Sequence, residues 1–270
     1  MIQRTGLWPV LFLCACIFPS AQARGLSQDA PAISIIIDDM GKRLENGQRV
    51  LDLPGPVACA FLPLAPHTDS LARRAHTLGR EILLHLPMES VDGRRLDAGA
   101  VTLDMTERQF AATVQSDLGA VPYAIGINNH MGSLLTRHPG HMLWLMRVMQ
   151  QQAPLFFVDS RTTVATVAKK VAIENAIPSI ERNVFLDNEL STEAIAFQFE
   201  RLLRLARKQG TALAIGHPHP QTLAYLEQHL PQLRQRGIRL LPVRDLIELQ
   251  QQGENTWQAS LSPSHKGAKN

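Results

Sequence analysis

Short apolar runs alternate along the chain with longer stretches of helical periodicity. The runs are Ala32–Ile37, Val57–Leu62, Glu81–Leu86, Tyr123–Ile127, Leu155–Val158, Val184–Leu186, Ala212–Ile215 and Arg239–Pro242. They are apolar throughout and do not alternate with polar residues, the pattern of parallel strands covered on both faces. Helices are predicted between them. Thr106 caps one that runs to about Leu118, a second spans Pro139 to Gln152, a third spans Ser191 to Gln209 before Gly210, and a fourth spans Pro220 to Arg236 before Gly237. This alternation predicts an α/β fold. Seven or eight parallel strands in one chain fit a β/α barrel, with an open doubly wound sheet as the other arrangement. The chain has no G-x-G-x-x-G and no Walker A sequence, which argues against nucleotide binding.

Ionisable residues fall at the C-terminal ends of the apolar runs. Ile35-Ile36-Ile37 leads into Asp38-Asp39, and Ile82-Leu83-Leu84 leads into His85 and then Glu89. Ile125-Gly126-Ile127 leads into Asn128-Asn129-His130, Phe156-Phe157-Val158 into Asp159-Ser160, and Leu213-Ala214-Ile215-Gly216 into His217-Pro218-His219. In a parallel barrel these ends share one rim, where barrel enzymes place their chemistry. Half-buried charges are costly unless paired or metal-bound, so the rim predicts a divalent cation or a dense hydrogen-bond network. Mixed carboxylate and imidazole donors suit Zn²⁺ and related ions.

Within this set the Asp pair divides the work, one carboxylate as a ligand and one as a base. His85 and His130 are candidate ligands, with Asn128 and Asn129 placed to hold His130 in one tautomer. One of His217 and His219 is a candidate general acid. Asp159 is placed either to orient an imidazole or to cap the following helix. Arg182 and Asp187 either pair with each other or reach the rim. His67, His76, His138, His141, His229 and His265 fall in helical or loop patterns and receive no chemistry.

Composition narrows the class. The 270 residues are 45% hydrophobic and 19% charged, which is ordinary for a globular chain. The net charge of +3 and the lack of a long basic run argue against nucleic acid. Arg4, the apolar stretch Leu7 to Ile17 and Ser20-Ala21-Gln22-Ala23 read as a secretory signal peptide over residues 1–23, and so as an exported, periplasmic protein. An uncleaved anchor, or lipidation of Cys16 within Leu13-Cys14-Ala15-Cys16, is the other reading of that segment. Cleavage would leave Cys59 as the one thiol, with no intramolecular disulfide, in a run that reads as a buried strand. No later segment is apolar for long enough to span a bilayer. Residues 24–250 are expected to form the barrel and residues 251–270 a polar tail.

The segments Ile37-Asp38-Asp39, Leu84-His85-Leu86-Pro87-Met88-Glu89, Asn128-Asn129-His130-Met131-Gly132-Ser133, Phe157-Val158-Asp159-Ser160 and Ile215-Gly216-His217-Pro218 together resemble the divergent polysaccharide deacetylases, the YibQ-like family, over about Ile33 to Leu246. That family is a distant relative of the NodB-type carbohydrate esterases. The resemblance implies a distorted β/α barrel, a divalent metal and an N-acetylated glycan, such as a peptidoglycan fragment, as substrate. It also implies that Asp38 is the base, Asp39 and His85 are metal ligands and His217 is the acid. The chain departs from the relatives at two places. Their second metal His, four residues after the first, is Glu89 here, so the third ligand is either His130 or Glu89. Their Arg-Pro-Tyr segment is replaced by Asn129-His130-Met131-Gly132. Glu89, Asn129, Ser160 and His219 are the candidate substrate contacts. The competing reading is a non-catalytic module that binds envelope glycan or an envelope protein on the same rim. Trp8, Trp144 and Trp257 offer no obvious sugar platform there.

Overall fold

The computed structural model describes residue 2 and residues 26–261 apart from 28 and 153, with side chains of the last helix described to residue 253. The leader expected over residues 1–23 therefore lies, Ile2 excepted, outside the described residues.

The described residues form nine parallel strands: β1 (Ala32–Met40), β2 (Ala58–Phe61), β3 (Ile82–Met88), β4 (Gly126–Met131), β5 (Phe156–Asp159), β6 (Ser179–Glu181), β7 (Val184–Phe185), β8 (Thr211–Gly216) and β9 (Arg239–Leu240). Eight follow the order β6-β5-β4-β3-β2-β1-β8-β7, and β9 lies beside the start of β1. The two edge strands, β6 and β7, are consecutive in the chain. Arg182 N donates to Asp159 O and Asn183 N donates to Leu213 O, each at 2.9 Å, so two residues bridge the seam. The result is a distorted, incompletely closed β/α barrel.

The strands are buried on both sides, and alternate residues serve different layers. Ile36, Ala58, Ala60, Leu83, Phe156, Val158, Ile180, Leu213 and Ile215 fill the barrel interior. Ile33, Ile35, Ile37, Cys59, Phe61, Leu84, Leu86, Ile127, Phe157, Ala212 and Ala214 pack against the helices. Each fully buried Ile, Leu or Phe contributes roughly 1.5–3 kcal/mol. Gly126 belongs to the interior stripe, and a Cβ there would stand 2.6 Å from the Phe156 ring, so glycine makes room for that ring.

The helices are α1 (Leu44–Leu51), α2 (Thr68–Thr77), α3 (Glu107–Ala120), α4 (Pro139–Gln150), α5 (Ala168–Glu174), α6 (Thr192–Gln209), α7 (Pro220–His229) and α8 (Val243–Leu261). Thr106 and Gln109 form a capping box on α3, and the Ser191 hydroxyl accepts from Ala194 N at the start of α6. The helix expected to reach Arg236 ends at His229 and tightens into a 3₁₀ turn containing Pro231, because proline lacks the N–H that would continue it. The expected boundary at residue 251 falls inside α8. Val243, Leu246 and Ile247 of α8 close the N-terminal end of the barrel interior, and the Glu81 carboxylate accepts from Val243 N and Arg244 N to fix the helix start. At that end the buried Ser34 hydroxyl donates to Leu241 O and Pro242 O, and the ionisable side chains of the interior column gather at the C-terminal rim. No helix among the described residues is long and apolar enough to cross a membrane.

Candidate metal centre

The interior stripe continues past the apolar layer. Two residues beyond Ile36, Leu83, Gly126, Val158 and Ile215 stand Asp38, His85, Asn128, Ser160 and His217. Alternation therefore aims these five side chains into the rim. His130, two residues further along β4, follows the same face. Asp39 joins by a different device. The β1–β2 register shifts between Ile37 and Met40, and Asp39 takes φ +56°. That left-handed conformation, which Asp tolerates better than most residues, turns a second successive carboxylate towards the centre.

Asp39 Oδ1, His85 Nε2 and His130 Nδ1 form a small triangle. The edges are 3.4 Å between Asp39 and His85, 3.1 Å between Asp39 and His130 and 3.1 Å between the imidazoles. A tetrahedral cation with bonds of about 2.0–2.1 Å spaces its ligand atoms by about 3.3–3.4 Å. The proton positions agree. Asn128 Nδ2 donates to Asp38 Oδ1 at 2.8 Å, which turns Asn128 Oδ1 to accept Nδ1–H of His85 at 2.9 Å. His130 Nε2 lies 3.0 Å from Asp97 Oδ2 and donates to it. Both facing nitrogens then present lone pairs, and buried Asp39 Oδ1 has no hydrogen-bond partner. Three converging lone pairs repel one another unless a cation lies between them, so the donor set fits a divalent metal. Burial opposes ionisation of Asp39, but whenever His130 and His85 are protonated their hydrogen bonds and charges hold its carboxyl well below the usual carboxylate range, so positive charge at this point, from protons or from a cation, is what the carboxylate answers. Burial also lowers the proton affinity of His85, and the charges of Asp38 and Asp39 outweigh it to raise the net value.

The acid side is built separately. His217 Nδ1–H donates to Asp187 Oδ1 at 2.9 Å. Asp187 Oδ2 accepts from His217 N at 2.6 Å and from Thr222 Oγ1 at 2.8 Å. The His217 ring leans on Phe185, with centroids 5.1 Å apart. Nε2 is left to face the rim. Burial depresses the His217 proton affinity, yet the hydrogen bond to Asp187 and the charge of Asp38 raise it overall. A cavity of 220 Å³ runs from Asp39 to His217, between the loops that follow β1 and β8.

The sequence profile described as "Divergent polysaccharide deacetylase" matches residues 35–247. The chain belongs to the divergent polysaccharide deacetylase family. It is 36% identical over 226 residues to an uncharacterized protein of Haemophilus influenzae, covering 84% of this chain and 78% of that one. It is 38% identical over 201 residues to the uncharacterized protein YibQ of Escherichia coli K12, covering 74% of this chain and 62% of YibQ. Among solved structures, an uncharacterized protein of Agrobacterium tumefaciens C58 superposes with a TM-score of 0.76 at 21% identity, covering 84% of this chain and 92% of that one, which shows a shared fold.

This member of the family holds Glu89, Asp159 and Asn129 away from the triad and keeps Ser160 and His219 at the rim. Glu89 lies past the strand end, where Oε2 accepts from Leu103 N at 2.7 Å; Asp39, His85 and His130 make the triad, without Glu89. Asp159 orients no imidazole. By alternation it faces the helix layer, where its oxygens accept from Arg161 N, Thr166 Oγ1 and Lys169 N and order the turn into α5. Asn129 points outward for the same reason, donating to Met131 O and accepting from Ser160 N. Asn128 holds His85 and Asp38, where the sequence suggested it would hold His130. Ser160 Oγ stays on the inner face, 3.4 Å from Asn128 Nδ2. His219 flanks His217, with ring centroids 5.8 Å apart.

Arg182 and Asp187 do not pair with each other. Arg182 holds the loop after β5 through Ser160 O and Arg161 O, and Asp187 reaches the rim. Sequence reasoning had left Asp187 undecided and missed Asp97 and Lys42 altogether. Lys42 Nζ lies 3.2 Å from Asp39 Oδ2 and 3.4 Å from Asp97 Oδ2. Trp144 packs outside the barrel against Phe110 and His141.

Proposed function

We propose that this protein is a metal-dependent deacetylase that hydrolyses the N-acetyl group of an envelope glycan such as peptidoglycan. The observation that carries the reading is the triangle of Asp39, His85 and His130, whose lone pairs converge at tetrahedral spacing. Two nitrogens and one oxygen favour Zn²⁺. When bound there, the ion would polarise the amide carbonyl and lower the pKa of water to about 7.

The chain's own groups supply the proton transfers. Burial raises the Asp38 carboxyl, against the charges of His85 and His217, and so strengthens it as a proton acceptor. Asn128 occupies Asp38 Oδ1, so Oδ2, 3.5 Å from His85 Nε2, is the oxygen that takes the water proton. His217, with Nδ1–H fixed on Asp187, carries its transferable proton on Nε2 and gives it to the leaving amine nitrogen. The C–N bond breaks, and acetate and a free amine leave.

Asp38→Asn tests the assignment. Acetate release from an N-acetylated glycan is expected to fall by about 10³-fold or more while metal content stays at the wild-type level. Equal turnover by wild type and variant would sink the mechanism. Export to the periplasm follows from the leader expected over residues 1–23, and cell fractionation tests it.

A further inference from the structure

The cavity beside the triad has a chemical character that the deacetylase reading alone does not explain. Lys42, Arg43 and Asn46 line one wall, and His217, Pro218 and His219 line the other. Asn46 Nδ2 donates to Pro218 O at 2.8 Å, so the two walls are clipped together before any ligand arrives. No Trp, Tyr or Phe lines the cavity. A sugar is therefore not held there by stacking on an aromatic face, and ionic and hydrogen-bonding groups are what the walls offer.

The cations differ in what they already do. Lys42 is paired with Asp39 and Asp97. Arg43, the residue before α1, is exposed and makes no ion pair among the described residues. Arginine carries five donors in a planar fork that matches carboxylate and phosphate oxygens. His219 faces the same space. At 220 Å³ the cavity falls below the range of about 300–1,000 Å³ usual for ligand pockets, so it holds one sugar unit or a substituent of it rather than a run of chain.

We infer that the sugar whose acetamido group enters the site carries an anionic substituent, a carboxylate or a phosphate, and that Arg43 and His219 hold it in this cavity. The inference rests on the deacetylase reading for the identity of the sugar, but the charge preference can be read separately.

The test is titration calorimetry of the Zn²⁺-loaded full chain with N-acetylglucosamine, N-acetylglucosamine 6-phosphate and N-acetylmuramate, with acetate release followed in parallel. At least one anionic sugar is expected to bind about tenfold tighter than the neutral one, and which of the two does so separates phosphate from carboxylate. Arg43→Gln is expected to erase most of that advantage and Arg43→Lys to keep part of it, because lysine keeps the charge and loses the fork. Raising the salt should shrink the advantage in the wild type. Equal affinity for all three sugars, or no measurable binding of either anionic sugar, overturns the inference. Anionic preference without acetate from any sugar keeps the inference and removes the deacetylase reading. Acetate released from the neutral sugar at equal or higher kcat/KM does the reverse.

Discussion

His217 and His130 are held in the same way and in different surroundings. Each stands at the C-terminal end of a strand, gives one ring N–H to a carboxylate and turns its other nitrogen to the centre. The Asp187 side chain is 0% exposed and accepts three hydrogen bonds, one from the backbone of His217 itself. The Asp97 side chain is 40% exposed, sits on the irregular segment between β3 and α3, and shares its charge with Lys42. A buried carboxylate with all its donors in place fixes a tautomer against solvent competition, whereas an exposed one is screened and exchanges with water. The position proposed for the acid is rigid, and the position proposed for the third ligand is adjustable.

The largest expected effect comes from removing the rigid partner. Asp187→Asn should lower kcat by about 10²–10³-fold with metal content unchanged, because His217 loses its tautomer and its raised proton affinity. The sign for pH follows. In the proposed mechanism His217 acts in its protonated form, so the rate should fall as pH rises through its raised pKa. Without the Asp187 charge that alkaline fall should move to lower pH, and an unmoved profile would detach His217 from the acid role.

His130→Ala should weaken Zn²⁺ retention by more than tenfold in a chelator competition, since two protein ligands hold the ion less well than three. Retention equal to wild type would return the third position to Glu89 or to water. Asp97→Asn should cost less, about 10-fold in metal affinity, with kcat nearly restored at saturating Zn²⁺. A kcat loss as large as that of Asp187→Asn would erase the contrast between the two carboxylates.

Stability should separate them last. Asp187→Ala strands the His217 and Thr222 donors in a buried site and should cost about 2–4 kcal/mol. Asp97→Ala should stay within about 0.5 kcal/mol, as surface changes do. Thermal unfolding of the metal-free proteins reads both without interference from ligand binding.

Two features show how far residue patterns reach. The eight apolar runs correspond to strands within a few residues, because runs such as Ile33–Ile37 can be buried on both faces only in a covered parallel sheet. The short β6 had no such signal, since Ser179 and Glu181 interrupt it. At the rim, the period of two was available and would have sorted the candidates. Counting in twos from Ile36, Leu83 and Val158 reaches Asp38, His85 and Ser160 and passes over Asp159, while Asn128 and His130 share the inner face that Asn129 leaves. Asp39 breaks that count through its left-handed backbone, which no neighbouring glycine or proline announces at its own position.

By itself the sequence determined the α/β alternation, the family and the gathering of ionisable residues at the strand ends. These follow from local periodicity and from residues at strand ends. Only the tertiary structure decided which carboxylate serves which imidazole. Asp187 lies 30 positions from His217 in the chain, and Asp97 meets His130 across the loop after β3. Such pairs depend on strand order and loop path, and the physical reason is that hydrogen bonding and charge are settled by distance in space, on which spacing along the chain places almost no constraint.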